Sequence, residues 1–496
     1  MADSEGKNLI GGQWVRAAAG ESGRRRDPAD GTALGSFAES GEADARDAIA
    51  AARRAFDATA WAQSPRVRQM TLLRWADRME TRADALARAL TRENGKVLAQ
   101  SRGEIAAAIS EIRYYAGLAR YIPGHAFEVE PGVFSTLIKE PAGVAGLIIP
   151  WNAPAVLLVR ALAPALAAGC SVVVKPAWQT AGLSAAIIAA LAEDADMPGG
   201  VVNMLTETGS DVARTLVASA DVDVISFTGS NEVGQRIMAA AAPTMKKLSL
   251  ELGGKSCCLV FEDIDPDWAA PRLAAAATII SGQQCTAARR VLVHASRYDA
   301  MKRALREALA AIRLGPGMQP QAQMGPLIDE AAREQVWARV EQAQQCADEV
   351  VLAAQRPGGE LAAGCFMSPS LVAHRDTGAF FIQEEIFGPL LVLETFQDEA
   401  EAVARANHTE FGLSASVWTH DGARAMRVAR ALRNGTVWIN DHNKLYAEAE
   451  TGGYRRSGLG RLHGYDALID FTEVKHIYQD AGVVAPRALD GGQPAR

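Results

Sequence analysis

The chain has 496 residues, 49% of them hydrophobic and 22% charged, with a formal net charge of −7. That length suggests about three domains at ~150 residues each, and the balance places the chain among soluble globular proteins able to build a large core. The mild acidity argues against nucleic acid as the main partner, because no basic cluster exceeds Arg24-Arg25-Arg26, expected here in a solvated loop.

The N-terminal Met-Ala-Asp-Ser-Glu-Gly-Lys run has no charged-then-apolar export pattern. From 41 to 120 the chain is rich in Ala, Arg and Glu, and apolar residues recur at helical spacing (Ile49, Ala52, Phe56; Leu72, Trp75, Met79), so several amphipathic helices are predicted. Residues 121–139 mix Pro123, Gly124, Pro131 and Gly132 with β-formers, which predicts a protruding hairpin. The segment 141–174 carries one charge, Arg160, but Pro150, Pro154 and Pro164 interrupt it, so it reads as buried core and no membrane partner is expected.

From Gly143 short apolar runs at 144–149, 171–175, 201–205 and 222–227 alternate with Ala-rich helical stretches. Strands buried on both faces read this way, so a doubly wound parallel sheet of the dinucleotide-binding type is predicted. A second α/β unit follows Gly253, with strands at 258–261 and 291–294 and a helix at 298–312. The expected division is 1–120 with 143–252 as the dinucleotide-binding domain and 253–452 as the catalytic domain. Segment 121–142 is expected to form a small arm, and 486–496 a flexible tail.

Cofactor recognition is not announced by a well-placed G-x-G-x-x-G. Instead the run ending at Phe227 passes into Thr228-Gly229-Ser230-Asn231-Glu232-Val233-Gly234, a strand-to-helix turn whose free N–H groups suit phosphate oxygens or simply make an ordinary turn. The six cysteines, at 170, 257, 258, 285, 346 and 365, form no C-x-x-C pair and have no His at zinc spacing, so reduced thiols, a cytoplasmic location and no metal are expected. One cysteine stands out. Cys285 ends Gly282-Gln283-Gln284-Cys285, and Glu251 opens Glu251-Leu252-Gly253-Gly254-Lys255, so a thiol and a carboxylate sit among glycines that let a ligand approach the backbone.

These two strings, with Pro150-Trp151-Asn152 and Glu385-Ile386-Phe387-Gly388-Pro389, resemble the aldehyde dehydrogenase superfamily from about Asn8 to about Lys475. The resemblance implies a fold, a reaction and a site. Cys285 would attack an aldehyde, Asn152 would stabilise the oxyanion, and Glu251 would activate water against the thioester, with NAD+ or NADP+ as hydride acceptor. Asn152 has a structural alternative as cap of the helix that Pro154 begins. Trp151, Lys175, Gly229, Ser230, Gly234, Glu385 and Phe387 would border the cofactor. Trp178 departs from the Glu of many NAD-preferring relatives, which leaves the choice between the two cofactors open.

For the substrate, Arg160 needs either an acidic neighbour or a substrate carboxylate. Ala153 leaves room for a ring, and Thr451 stands where many relatives have an aromatic residue. An aromatic or medium-sized polar aldehyde is therefore expected, with a carboxylated semialdehyde as the second reading. Glu251 argues against a CoA-acylating relative, and intact Cys285 and Asn152 argue against a non-catalytic NAD-binding protein. A cysteine hydrolase would need a His motif that is absent from the sequence. The arm at 121–142 and the segment 470–485 together resemble the family's oligomerisation ribbon, which implies a small β-ribbon arm and a homodimer or homotetramer.

Overall fold

The computed structural model describes residues 6–485. Two sheets carry the molecule. The first has eight strands, and its middle five, Lys247–Glu251, Val224–Thr228, Val144–Ile149, Ser171–Pro176 and Val202–Met204, are mutually parallel in that spatial order. Val144–Ile149 is buried at all six positions, as its unbroken apolar sequence requires when helices cover both faces. The chain leaves this strand in one direction, then crosses back to place Val224–Thr228 on its other side. That reversal opens a crevice at the strands' carboxyl ends, beside Pro150 and Thr228.

The second sheet has seven strands. Cys257–Val260, Arg290–His294, Leu390–Phe396, Ser370–Ala373, Ser414–Trp418 and Thr436–Ile439 are parallel, and Glu349–Leu352 closes one edge antiparallel. The predicted α/β class and the doubly wound parallel sheet are present. The runs at 201–205 and 222–227 shorten or shift to Val202–Met204 and Val224–Thr228, and the helix at 298–312 is Tyr298–Ala310.

Residues 41–120 form four helices, Glu42–Ala58, Pro65–Thr81, Ala83–Asn94 and Leu98–Leu118. Two of them pack on Pro154–Ala168, the helix within the nearly uncharged segment. Its first-turn proline presets φ and its C-terminal Gly169 takes φ +105, so both ends are set by sequence. Leu158 and Leu162 are fully buried here, and truncating either to Ala would cost ~2–5 kcal/mol. Among the described residues no helix is long and apolar enough to cross a membrane.

The predicted arm is a three-stranded antiparallel ribbon in which Val133–Pro141 lies between His125–Glu130 and the late strand Thr472–Asp480. The predicted tail at 486–496 lies outside the described residues. One expectation fails: Arg24-Arg25-Arg26 is not a solvated loop but the end of the strand Ser22–Arg26. Alternation along that strand turns Arg25 inward, where it is buried and ion-paired with Glu93. The six thiols are unpaired; Cys170, Cys257 and Cys258 are buried, Cys285 and Cys365 partly so, and Cys346 is exposed.

Candidate active site

Cys285 follows a distorted turn. Ile280, Ser281 and Gly282 all take left-handed φ values, of +49°, +56° and +75°. Such backbone is costly for the two side-chain-bearing residues and persists only where the surroundings impose it. Arg289 supplies part of that imposition, donating to the carbonyls of Gly282, Gln284 and Gly388. A Cβ at Gly282 would lie 2.4 Å from the Gly388 backbone, which explains the glycine before the thiol.

The Cys285 Sγ donates to Glu251 Oε1 at 3.5 Å. Burial, then the neighbouring Glu251 carboxylate, pushes the thiol well above its ordinary pKa, against the opposing pull of Arg160. The resting thiol therefore holds its proton and needs a base. Glu251 ends a strand of the first sheet, and its other oxygen, Oε2, accepts from the buried Arg160. Arg160 thus has the acidic partner it requires, and that partner is the carboxylate beside the thiol.

Asn152 is not the helix cap. Ala153 occupies that position, and the Glu104 carboxylate accepts instead from Ala155 N (2.8 Å) and Val156 N (3.3 Å). The difference arises because the Asn152 side chain turns the other way and donates to Gln283 O at 3.0 Å, next to the thiol loop. Lys96, paired with Glu104, holds the Asn152 carbonyl at 2.8 Å. An amide carries two N–H groups, so the bond to Gln283 leaves one donor.

Cys285, Glu251 and Asn152 line two cavities at once. One, of about 570 Å³, also takes in Arg160, Ala153 and Thr451, the three residues expected around a substrate. The other, of about 350 Å³, lies at the crevice of the first sheet and takes in Trp151, Gly229, Ser230, Glu385 and Phe387. Trp151 and Phe387 meet edge to face at 5.7 Å. Ser230 caps the helix Asn231–Ala241, accepting from Val233 N at 3.4 Å. Gly234 lies outside this lining and packs on Leu252, which a Cβ would approach to 2.6 Å.

Lys175 and Trp178 also lie outside the lining, at the end of Ser171–Pro176. Trp178 stacks on Phe37 with centroids 5.8 Å apart. Lys175 Nζ is 3.8 Å from Glu207 Oε1. Burial depresses the Lys175 pKa, while Glu207 and Glu39 hold it up. No motif marks Glu207, nor Glu111 and His463 on the far side of Arg160. Their contacts span long stretches of chain, 303 residues in the case of Arg160 and His463.

Fold and site together define a dinucleotide-linked oxidoreductase with a cysteine at the junction of its two cavities. The model of the Aldehyde dehydrogenase family matches residues 14–477. Succinate-semialdehyde dehydrogenase [NADP(+)] of Escherichia coli is 39% identical over 477 residues, covering 95% of this chain and 96% of the relative. Phenylacetaldehyde dehydrogenase of Pseudomonas fluorescens is 37% identical over 479 residues, covering 95% of each. Among solved structures, betaine aldehyde dehydrogenase of Staphylococcus aureus in complex with NAD+ superposes with a TM-score of 0.93 at 32% identity, covering 99% of this chain and 98% of that one. The chain belongs to the aldehyde dehydrogenase family, whose general reaction is the cysteine-based, NAD-dependent oxidation of an aldehyde.

Proposed function

We propose that this chain oxidises an aromatic or medium-sized polar aldehyde to its acid, with Cys285 as nucleophile, Glu251 as base and Asn152 as oxyanion donor. The observation that carries this reading is that these three side chains line both cavities. Glu251 Oε1 takes the Cys285 proton, and the thiolate adds to the aldehyde carbon to give a thiohemiacetal. The remaining Asn152 N–H and the Cys285 backbone N–H are suited to the developing oxyanion, where one such donor is typically worth ~3–4 kcal/mol. A nicotinamide, when bound, supplies the hydride acceptor. Once Glu251 has passed the first proton to solvent, its carboxylate takes a proton from the water that attacks the thioester, and the C–S bond breaks to release the acid and the Cys285 thiolate.

The donor set fits a dinucleotide. The Asn231–Ala241 helix turns its N-terminal N–H groups towards the crevice for phosphate, the Trp151 and Phe387 rings flank a flat group, and Glu385 can accept from a ribose hydroxyl. Lys175 is already matched by Glu207, with Glu39 nearby, so this corner favours NAD+ over NADP+.

For the substrate, the engagement of Arg160 by Glu251 leaves a carboxylated aldehyde without a free cation there, and Glu448 lines the same cavity. Ala153 keeps space beside the thiol. The segments 1–120 with 143–252 form the cofactor domain in this reading, and 253–452 the catalytic domain. The ribbon joins subunits of a homodimer or homotetramer, and the six free thiols suit the cytoplasm.

The deciding experiment follows cofactor reduction across aromatic, aliphatic, amino and carboxylated aldehydes. Cys285→Ala is expected to abolish turnover, by a factor of about 10³ or more, and Glu251→Gln to give a burst of reduced cofactor followed by a stall in deacylation. Steady turnover by the Cys285 variant would remove the mechanism, and a preference for carboxylated over aromatic aldehydes would reverse the substrate order.

A further inference from the structure

Behind Glu251 a buried chain of polar side chains leads away from the thiol. Arg160 Nη2 donates to Glu251 Oε2, and Arg160 Nη1 lies 3.4 Å from His463 Nε2. His463 Nδ1 in turn lies 3.0 Å from both carboxylate oxygens of Glu111. Exposure is 2% for Glu111, 3% for His463, 4% for Arg160 and 7% for Glu251, so none of the four is a solvated surface group.

The donors and acceptors assign the tautomer. A guanidinium can only donate, so His463 Nε2 must accept, and the ring proton sits on Nδ1, where the Glu111 carboxylate accepts it. Arg160 is thereby held between a carboxylate and an imidazole whose own orientation is fixed by a second carboxylate. The backbone is arranged to the same end. His463 takes a left-handed φ of +59°, unusual for a residue with a side chain. On one side of it Leu462 pairs with Thr451, and on the other the Gly464 carbonyl accepts from the buried Tyr115 hydroxyl at 3.0 Å. Strained backbone pinned on both flanks, with its imidazole directed at a guanidinium, is a feature in need of a reason.

We infer that His463 and Glu111 are positioning residues for the oxidation: they hold Arg160 so that it grips one oxygen of Glu251 and leaves the other facing Cys285. The inference rests on Glu251 being the base. Its physical content is division of labour within one carboxylate. Oε2, bound to Arg160, keeps the group aimed, and Oε1, 3.5 Å from Sγ, is left to take protons. The remaining charged groups along the cavity are otherwise disposed. Lys96 pairs with Glu104, and beyond the lining Glu450 accepts from Tyr465 N at 2.8 Å. Glu448 is exposed at the rim.

The test compares His463→Leu, His463→Gln and Glu111→Gln in the full-length enzyme, using a neutral aromatic aldehyde. Leu removes the acceptor for Arg160, whereas Gln can both accept from Arg160 and donate to Glu111. His463→Leu is expected to slow deacylation and native-state alkylation of Cys285 by about tenfold or more, with KM for the aldehyde within about threefold of wild type. His463→Gln is expected to recover most of that loss. Glu111→Gln keeps the volume and the acceptor, guards against a folding failure of the Leu variant, and is expected to show a smaller effect of the same kind. Wild-type rates in a folded His463→Leu variant would overturn the inference. So would a rise in KM confined to carboxylated aldehydes, since Arg160 would then be a substrate anchor. Glu251→Gln separates the two levels: if it turns over normally the base assignment fails, and if it stalls while His463→Leu is normal only the positioning fails.

Discussion

Glu207 illustrates how a residue without a motif can decide a specificity. It is fully buried, its two oxygens accept from Val212 N and Ala213 N at 2.9 and 3.1 Å, and it still faces Lys175. A 2′-phosphate approaching Lys175 would meet this carboxylate as well as the lysine. We expect Glu207→Gln to raise kcat/KM for NADP+ relative to NAD+ by about tenfold, one lost charge repulsion at ~1.4 kcal/mol per decade. Trp178→Glu should move the ratio the other way, and parallel kinetics with both cofactors would check each. At this scale the sequence was legible where chemistry is written in contiguous strings: Cys285, Glu251 and Asn152 meet as their motifs imply. It was silent on Glu207, Glu111 and His463. Each acts through a partner brought close only by folding, and a lone His or Glu carries no local mark of that partner.

The late strand Thr472–Asp480 pairs along nine positions with Val133–Pro141, from Thr472 opposite Pro141 to Asp480 opposite Val133. It therefore ties the end of the described chain to an arm that begins some 340 residues earlier. The outer strand His125–Glu130 is exposed throughout, and Phe127, Val129, Val474, Ile477 and Tyr478 present apolar side chains to solvent. Unpaired strand edges with apolar faces are surfaces that proteins normally cover. The expected solution mass at micromolar concentration is that of two or four chains of 52.6 kDa, by light scattering. A mass of one chain would leave the ribbon without its proposed role. Strand periodicity with Pro and Gly at the turns made the hairpin readable, whereas the distant third strand was suggested only by its resemblance to a known ribbon.

Across the whole molecule, the order of the two sheets follows from apolar runs alternating with helical stretches, but which cations would be buried between them does not. Arg25 went inward on a strand whose composition looked solvated. Lys255 went further. Burial, then the charges of Arg289 and Arg290, depresses its pKa from an ordinary 10.5 to about 7, with Glu385 and Glu394 opposing. Above pH 7 the folded chain has released this proton while the unfolded chain keeps it until about 10.5, so the group makes stability rise with pH across that window. Lys255→Met is expected to remove the rise, flattening the difference in unfolding free energy between pH 7 and pH 9 by on the order of 2 kcal/mol. Denaturant titrations of both proteins at the two pH values would measure it, and equal slopes would contradict the assignment. The distribution of the six thiols has a practical corollary for counting working enzyme. Burial pushes Cys170 and Cys257 up to about 11 and Cys258 up to about 12, and Cys365, partly covered, to about 11. The Cys285 thiol is raised as well, but it opens into both cavities beside a carboxylate acceptor, so it and exposed Cys346 are the two ready targets for a mild alkylating reagent in the native fold. With Cys346→Ser in place, one equivalent of label per chain should extinguish all activity, so the label incorporated becomes a direct census of competent active sites in any preparation.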